Sequence, residues 1–539
     1  TDNKVSDRLP LAFPSGLLHS SAMPKILAEN EVLYVGEPIA LVLAENRFIA
    51  EDAAGHVEVE YFPLAPVSDA RNACEQNSPL ASSNSTSNIM KKFTVNSGCK
   101  EQAKKLTQSP GWFREKFTIH RGKASPIEPR GIIVTTDPFG EKISVWASSQ
   151  LTHELRNTIA ETLDLPAGNI EVKACDIGGG FGCKFMVYSE EICVAAVAKF
   201  LGVTVKWAED RYEHFLSAIQ ERDQYWDIAV EYDKQGRILT LKGSMIHDQG
   251  AYAPHSITVP YNSASSVIGP YKIPHYELNV SVVKTNKPPV IPVRGAGYPQ
   301  GTFVIERVMD RIALSLKLDR LQVRSVNLIK KLEMPFMTGL KNRAGIEVVY
   351  DSGDYQKCQN LAVEEFYKNT LSTKVSDNIV SGVGFAHAVK CTGRGPFESA
   401  TVRIGPHGNV DVFTGAIAIG QGTKTTLAQV CGEILQVNYE DINIVCGDTS
   451  KIEYGLGAFG SRQAMLAGSA VRAASIAVKE KILNLAAQLL SKDYSISFAN
   501  DQKEILTKGD IIIQVGLLSD DNLSQLKENQ SIIGVLDPY

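Results

Sequence analysis

A mixed α+β fold is predicted for this chain, on three observations. Strand-like alternation and helix-like periodicity both occur, without the regular strand–helix succession of a doubly wound sheet. At 539 residues the chain is too long for one core, so two to four domains are expected. Hydrophobic residues make up 44% and charged residues 21%, a balance that supplies several ordinary globular cores.

Taken in order, residues 33–35 and 39–43 predict strands, 46–54 a helix and 56–61 an alternating strand. They predict a small α/β unit over 1–75. The Ser- and Asn-rich run that follows predicts a loop over 76–95, within a linker spanning 76–110. A second unit, 111–349, holds strands such as 143–146 and 225–232 and helices such as 153–163 and 300–316. A third, 350–539, holds strands 400–404 and 410–413. Its two clear helices are 425–435 and 464–490, the second rich in Ala and Leu. No short internal repeat is apparent.

The net charge of −5 gives no basic footprint for nucleic acid. No apolar stretch is long enough to span a bilayer. The first residues, Thr-Asp-Asn-Lys-Val-Ser-Asp, lack the basic and apolar regions of a secretion signal and an initiating Met, so a processed or incomplete start is expected. The nine cysteines are odd in number, widely spaced and without a C-x-x-C pair. Neither a disulfide framework nor a zinc or iron–sulfur site held by this chain alone is expected. Reduced thiols in a cytoplasmic protein are the plain reading.

Four glycine-rich turns carry the chemistry: Gly178-Gly179-Gly180-Phe181-Gly182-Cys183-Lys184, Arg294-Gly295-Ala296-Gly297, Gly420-Gln421-Gly422 and Gly460-Ser461-Arg462-Gln463. Glycines let a backbone approach a ligand closely and aim N–H groups at oxygen atoms. The first turn is neither a dinucleotide fingerprint, since Cys183 takes the place of the last glycine, nor a P-loop, since Lys184 is followed by Phe185. Alone, each turn reads as a structural bend. Together they suggest one large anionic cofactor held by loops distant in sequence.

Further runs set these turns in context. They are Trp146-Ala147-Ser148-Ser149-Gln150, Pro126-Ile127-Glu128-Pro129-Arg130-Gly131, Trp207-Ala208-Glu209-Asp210-Arg211 and Glu306-Arg307-Val308-Met309-Asp310. In this collinear order the chain resembles, over nearly its whole length, the molybdenum-binding large subunit of the xanthine dehydrogenase and aldehyde oxidase family. The resemblance implies a hammerhead-like α/β domain followed by two molybdopterin-binding α+β domains. It implies a molybdenum–pterin cofactor, with a cytosine dinucleotide as one extended form. It implies oxidation of an aldehyde or N-heteroaromatic carbon with water as oxygen source. Electrons would pass to 2Fe-2S and FAD subunits.

The resemblance also assigns residues. Gln150 matches a glutamine that bonds an oxygen ligand of the metal, and Arg294 an arginine beside the metal. Gly179, Gly180, Phe181 and Gly182 match the loop against the metal. Gln421 matches a pterin contact, and Gly460, Ser461, Gln463 and Ala464 match a phosphate-binding loop. Ser461–Ala464 precede a long predicted helix, whose N-terminus favours phosphate. Phe185, Ala296 and Phe397 hint at an apolar substrate pocket.

Several positions depart from the family. Phe185 stands where purine-oxidising members carry a glutamate, and Ala296 where they carry an aromatic ring. The Cys-Ser-Phe-Arg loop of aerobic carbon monoxide dehydrogenases is replaced by Cys391-Thr392-Gly393-Arg394-Gly395-Pro396-Phe397-Glu398. Cys391 then reads as an ordinary thiol. The general-base glutamate of a Gly-Val-Gly-Glu turn near the family's C-terminus has no counterpart. Tyr34-Val35-Gly36-Glu37-Pro38 matches a different family segment, so Glu37 is rejected as the base. The chain is expected to be incomplete at both ends and inactive alone, with a second chain completing the subunit. An inactive cofactor-binding scaffold and a broken gene product are the alternatives. His120 and His247 lack ligand-spaced partners and read as hydrogen-bonded core residues.

Overall fold

The computed structural model describes residues 23–99, 111–370, 382–405 and 408–493. In chain order the strands are β1 (Ile89–Gly98), β2 (Gly111–Gly122), β3 (Gly131–Thr136), β4 (Ile143–Ala147), β5 (Ile170–Lys173), β6 (Val205–Ala208) and β7 (Glu221–Tyr232). There follow β8 (Ile238–Gly250), β9 (His275–Lys284), β10 (Phe336–Lys341), β11 (Glu347–Tyr350), β12 (Ala400–Ile404), β13 (Val410–Thr414) and β14 (Ile442–Cys446). The chain forms two compact units, each discontinuous in sequence.

One unit joins Pro10–Ala124 to Phe215–Cys391. Its sheet runs β1-β9-β8-β7-β2, with β8 and β9 parallel and the other pairs antiparallel. Alternate residues of β9 (Tyr276, Leu278, Val280, Val282) are buried, the period of two expected of a sheet with one covered face. They join a core with Val304, Ile305, Val308, Met309 and Ile312 of the helix Tyr298–Leu316. That three-to-four spacing makes one apolar helix face, and each such side chain contributes roughly 1.5–3 kcal/mol on burial.

The other unit joins Ser125–His214 to Thr392–Tyr539. It has two sheets, β5-β4-β3-β6 and β12-β13-β14. In each, one parallel pair is linked through a helix: β4 to β5 by Thr152–Leu163, and β13 to β14 by Thr423–Leu435. Parallel neighbours require such a crossover. The turn from strand to helix then lies at the carboxyl end of the strands, where open α/β sheets place ligands. Gln150 and Gln421 both stand in such turns.

The expected helices at 153–163, 300–316, 425–435 and 464–490 form, each starting one or two residues early. The last begins as a wide π turn, Gln463–Ala467, before the helix Gly468–Asp493. The first helix is Arg47–Ala54, capped by Asn46, whose side chain accepts from the Ile49 N–H at 3.1 Å. The strands expected at 33–35, 39–43 and 56–61 are corrected: these residues enter no ladder among the described residues. Gly36 turns the chain with φ +97°, and the backbone there finds side-chain partners instead. The Leu33 N–H donates to Glu37, and the Asn286 amide to the Leu33 carbonyl. The loop expected over 76–95 ends at Asn88, where β1 begins to pair with β9. All nine cysteines are free thiols.

Candidate functional site

Gln150 follows β4 and is almost fully buried. Its N–H donates to the Lys184 carbonyl at 2.9 Å, and its carbonyl accepts from the Ala458 N–H at 3.0 Å. Its side-chain Oε1 accepts from the Gly182 N–H at 3.0 Å, and Nε2 donates to the Ala458 carbonyl at 2.6 Å. The amide NH2 carries two donors, and this bond uses one. One side chain thus fastens the 178–184 loop to the 457–458 segment.

A second glutamine continues the line. Gln463 Nε2 donates to the Gly457 carbonyl at 2.9 Å, and its Oε1 accepts from the Ile417 N–H at 3.2 Å. A third closes it: Gln421 Nε2 donates to the Ile417 carbonyl at 3.0 Å, and Oε1 accepts from the Ile419 N–H at 2.6 Å. Three glutamines therefore link the 178–184, 457–463 and 417–422 loops by direct hydrogen bonds within one unit.

The glycines permit this closeness. A Cβ at Gly180 would lie 2.5 Å from Gln150 Oε1. Gly179, Phe181 and Gly182 all have left-handed φ, +97°, +57° and +101°. Phe181 is the strained member, since a side chain disfavours that region. Gly460 and Ser461 are left-handed as well, and a Cβ at Gly460 would press on Arg394. At Gly420 and Gly422 an added Cβ would meet nothing, so this turn faces open space.

That turn opens the helix Thr423–Leu435. Beside it lies a cavity of about 230 Å³, lined by Asp176, Ile177, Gly420, Gly422, Thr423 and Lys424 among others. Thr423 Oγ1 is buried without a hydrogen-bond partner at the first helical position, and Lys424 Nζ pairs with Asp176 at 2.7 Å. A helix N-terminus, a lysine and an unsatisfied hydroxyl beside a cavity suit a phosphate oxygen.

Some partners were not legible in the sequence motifs. Arg462 is fully buried and pairs with Glu398. It also donates to the carbonyls of Phe397, Arg394 and Gly457. It ties the 394–398 segment to the 457–463 loop. Burial raises the Glu398 carboxyl, against the pull of Arg462. Arg130 donates through Nε and Nη2 to Glu209, at 2.9 and 2.5 Å, and its guanidinium lies 3.7 Å over the Tyr188 ring. The Tyr188 hydroxyl in turn donates to the Cys183 carbonyl in the glycine loop at 2.6 Å. Burial works against the Glu209 carboxylate, but the His214 hydrogen bond and the Arg130 charge bring its pKa down to about 2.

The remaining candidates are placed as follows. Phe185 is buried, its ring 4.6 Å from that of Phe459; Phe397 is half exposed. Ser461 and Ala464 are exposed. Arg294 and Ala296 belong to the other compact unit. There Arg294 is exposed, and Ala296 has φ +50° with its carbonyl accepting from Asn262 at 2.7 Å. Glu37 accepts from the Leu33 N–H and the Tyr252 hydroxyl, both at 2.5 Å, and burial raises its pKa. It anchors a turn. His247 is a buried core residue that accepts from Gln224 at 3.3 Å, as expected. His120 differs: it is exposed, on the edge strand β2. Cys391 Sγ lies 2.9 Å from the Tyr298 hydroxyl.

Family models for the molybdopterin cofactor-binding domain match residues 82–328 and 358–515, and one for the aldehyde oxidase and xanthine dehydrogenase a/b hammerhead domain matches 12–65. The chain belongs to the large-subunit family of molybdenum hydroxylases. The 6-hydroxypseudooxynicotine dehydrogenase complex subunit gamma of Paenarthrobacter nicotinovorans is 35% identical, covering 87% of this chain and 59% of that protein. The carbon monoxide dehydrogenase large chain of Afipia carboxidovorans is 30% identical, over 86% of this chain and 61% of its own. Among solved structures, quinoline 2-oxidoreductase from Pseudomonas putida 86 superimposes with a TM-score of 0.79 at 30% identity, covering 92% of this chain and 62% of that chain. The chain thus spans about six tenths of the length of these large subunits. No described helix is long and apolar enough to cross a membrane.

Proposed function

We propose that this chain forms the cofactor-binding part of a molybdenum hydroxylase that oxidises an aldehyde or N-heteroaromatic carbon with water as oxygen source. Electrons leave to 2Fe-2S and FAD subunits. The observation that carries this reading is the line of Gln150, Gln463 and Gln421, which draws three glycine-rich loops into one hydrogen-bonded surface. When bound, the molybdenum–pterin group supplies a Lewis-acid metal and an electron sink.

The chain's own residues position and exclude. The second Gln150 N–H would be available to the bound group, and the Gly179–Gly182 backbone would help to hold it. Gln421 meets the pterin end. Gly460, Ser461, Gln463 and Ala464 take a phosphate at the start of the last helix. The cavity at Thr423 and Lys424 supports a second phosphate, as an extended form such as the cytosine dinucleotide would need. The family resemblance assigns Arg294 to the cofactor and Phe185, Ala296 and Phe397 to an apolar substrate pocket. Within the two substrate classes, the quinoline named in one relative favours an N-heteroaromatic ring. Purines are disfavoured by Phe185 and Ala296.

The proposed reaction includes a general base that is not among these residues. Its loss typically costs a factor of about 10²–10⁴ in rate. Domain boundaries at 1–75, 76–110, 111–349 and 350–539 and a cytoplasmic location complete the proposal. The test is metal, pterin and nucleotide analysis of the protein purified from its own cell, followed by turnover of quinoline-type and aldehyde substrates. Bound molybdenum and pterin with turnover of either class supports the reading. Bound cofactor with no turnover of either class selects the inactive scaffold, and absence of both metal and pterin overturns the reading.

A further inference from the structure

Glu128 stands between the apolar Ile127 and Pro129, just before β3. One of its carboxylate oxygens, Oε2, accepts from the Gly178 N–H at 2.7 Å and from Lys184 Nζ at 2.7 Å. Its own N–H donates to the Gly178 carbonyl at 3.3 Å. A Cβ on Gly178 would lie 2.5 Å from the Glu128 Cβ, so only glycine allows this approach. Gly178 and Lys184 are the two ends of the first glycine-rich turn. A single oxygen atom therefore closes the turn from both sides, while Gln150 holds its middle through Gly182.

The two partners differ in their access to water. The Lys184 side chain is 1% exposed and that of Glu128 43%. A buried ammonium is costly unless paired, whereas a half-exposed carboxylate retains much of its hydration. Burial pulls the Lys184 pKa down, and the Glu128 hydrogen bond and charge oppose that. Lys184 thus depends on Glu128 more than Glu128 depends on Lys184. Between the pinned ends sit the left-handed residues Gly179, Phe181 and Gly182, a conformation that persists only where its surroundings over-determine it.

We infer that Glu128 is a positioning residue, a latch that closes the 178–184 loop through Gly178 and Lys184 and so sets the backbone offered to the cofactor. The role toward the cofactor rests on the proposed function; the latch itself does not. Glu128 acts through the loop rather than on any reacting atom.

Amide hydrogen exchange on the full protein tests this, with Glu128→Gln, Glu128→Ala, Lys184→Met and the Glu128→Ala/Lys184→Met pair. Exchange at residues 179–183 is expected to rise at least about tenfold in Glu128→Ala and less in Glu128→Gln, which keeps an acceptor for Gly178. It is expected to fall back toward the Lys184→Met level in the pair, because no buried cation is then left alone. The helix Ser189–Leu201 should exchange as in the wild type throughout. If Glu128→Ala fails to fold, Glu128→Gln with and without Lys184→Met carries the same comparison. Molybdenum and pterin per chain should fall with the loosening, about fivefold or more in Glu128→Ala.

Loop exchange unchanged by the Glu128 substitutions, loosening spread evenly over the unit, or no rescue by Lys184→Met would overturn the latch. A loosened loop that still holds wild-type molybdenum and pterin would overturn its role toward the cofactor. A wild-type protein without molybdenum or pterin, yet with the same local and Lys184-dependent loosening, would uphold the latch and sink the functional reading instead.

Discussion

Gln150 is joined to the 178–184 loop 32 residues away and to Ala458, 308 residues away. Gln150→Ala leaves the Gly182 N–H and the Ala458 carbonyl without these partners, at about 1–3 kcal/mol for each group left buried and unsatisfied. Denaturant unfolding should show that loss, and molybdenum content should fall in parallel. Glu209→Gln strips the buried Arg130 of the carboxylate that bonds both its Nε and its Nη2 and leaves Glu190 as its anionic partner, so unfolding should show a loss of up to about 3 kcal/mol. The sign with pH follows from the lowered carboxyl. With a folded pKa of about 2 against an ordinary 4.5, the stabilisation by Glu209 is complete above about pH 4.5 and is lost as pH falls toward 2. Acid titration of stability should therefore be flatter in Glu209→Gln over that window. At this scale the sequence disclosed Gln150, Gln421 and the glycines, because each sits in a short distinctive run. It concealed the functions of Arg130, Glu209, Glu398 and Arg462. Their partners lie 79 and 64 residues apart, and nothing local to a charged residue says which opposite charge it will meet.

The helices follow their apolar periodicity but begin earlier than it suggests. Left-handed Gly297 and Gly422 cap the helices Tyr298–Leu316 and Thr423–Leu435, so each turns directly out of its loop. The strands expected near the N-terminus fail for a different reason. Alternation describes a face, while a strand also needs a neighbour with free backbone groups, and at Leu33 it is the Glu37 and Asn286 side chains that answer the backbone instead. The helix Thr423–Leu435 yields a prediction in which stability and binding part company. Thr423→Val replaces a buried hydroxyl without a partner by an isosteric methyl, so unfolding stability should hold or rise by up to about 1 kcal/mol. Retention of a nucleotide-bearing pterin should nevertheless fall, as measured by nucleotide released on acid hydrolysis. In the first glycine turn, Gly180→Ala drives a methyl to 2.5 Å from Gln150 Oε1. It should displace that amide and lower molybdenum content at least as far as Gln150→Ala does.

On the scale of the whole molecule, the mixed α+β class and the family were legible because the glycine turns and their flanking runs occur in one collinear order. The discontinuity of the two compact units was not. Linear composition marks where polarity changes, not which segments return to complete a distant core, and Thr392–Tyr539 clusters with Ser125–His214 across an intervening unit. The Gln150, Gln463 and Gln421 line joins those two segments, which is why motifs some three hundred residues apart serve one surface. Diffraction from crystals of the natively purified protein, collected on either side of the molybdenum absorption edge, tests the central claim most directly. The expected result is an anomalous peak beside the Gln150 amide and the backbone of Gly179–Gly182, with pterin density running toward Gln421. A peak remote from those residues, or none in crystals of folded protein shown to carry molybdenum, would contradict it.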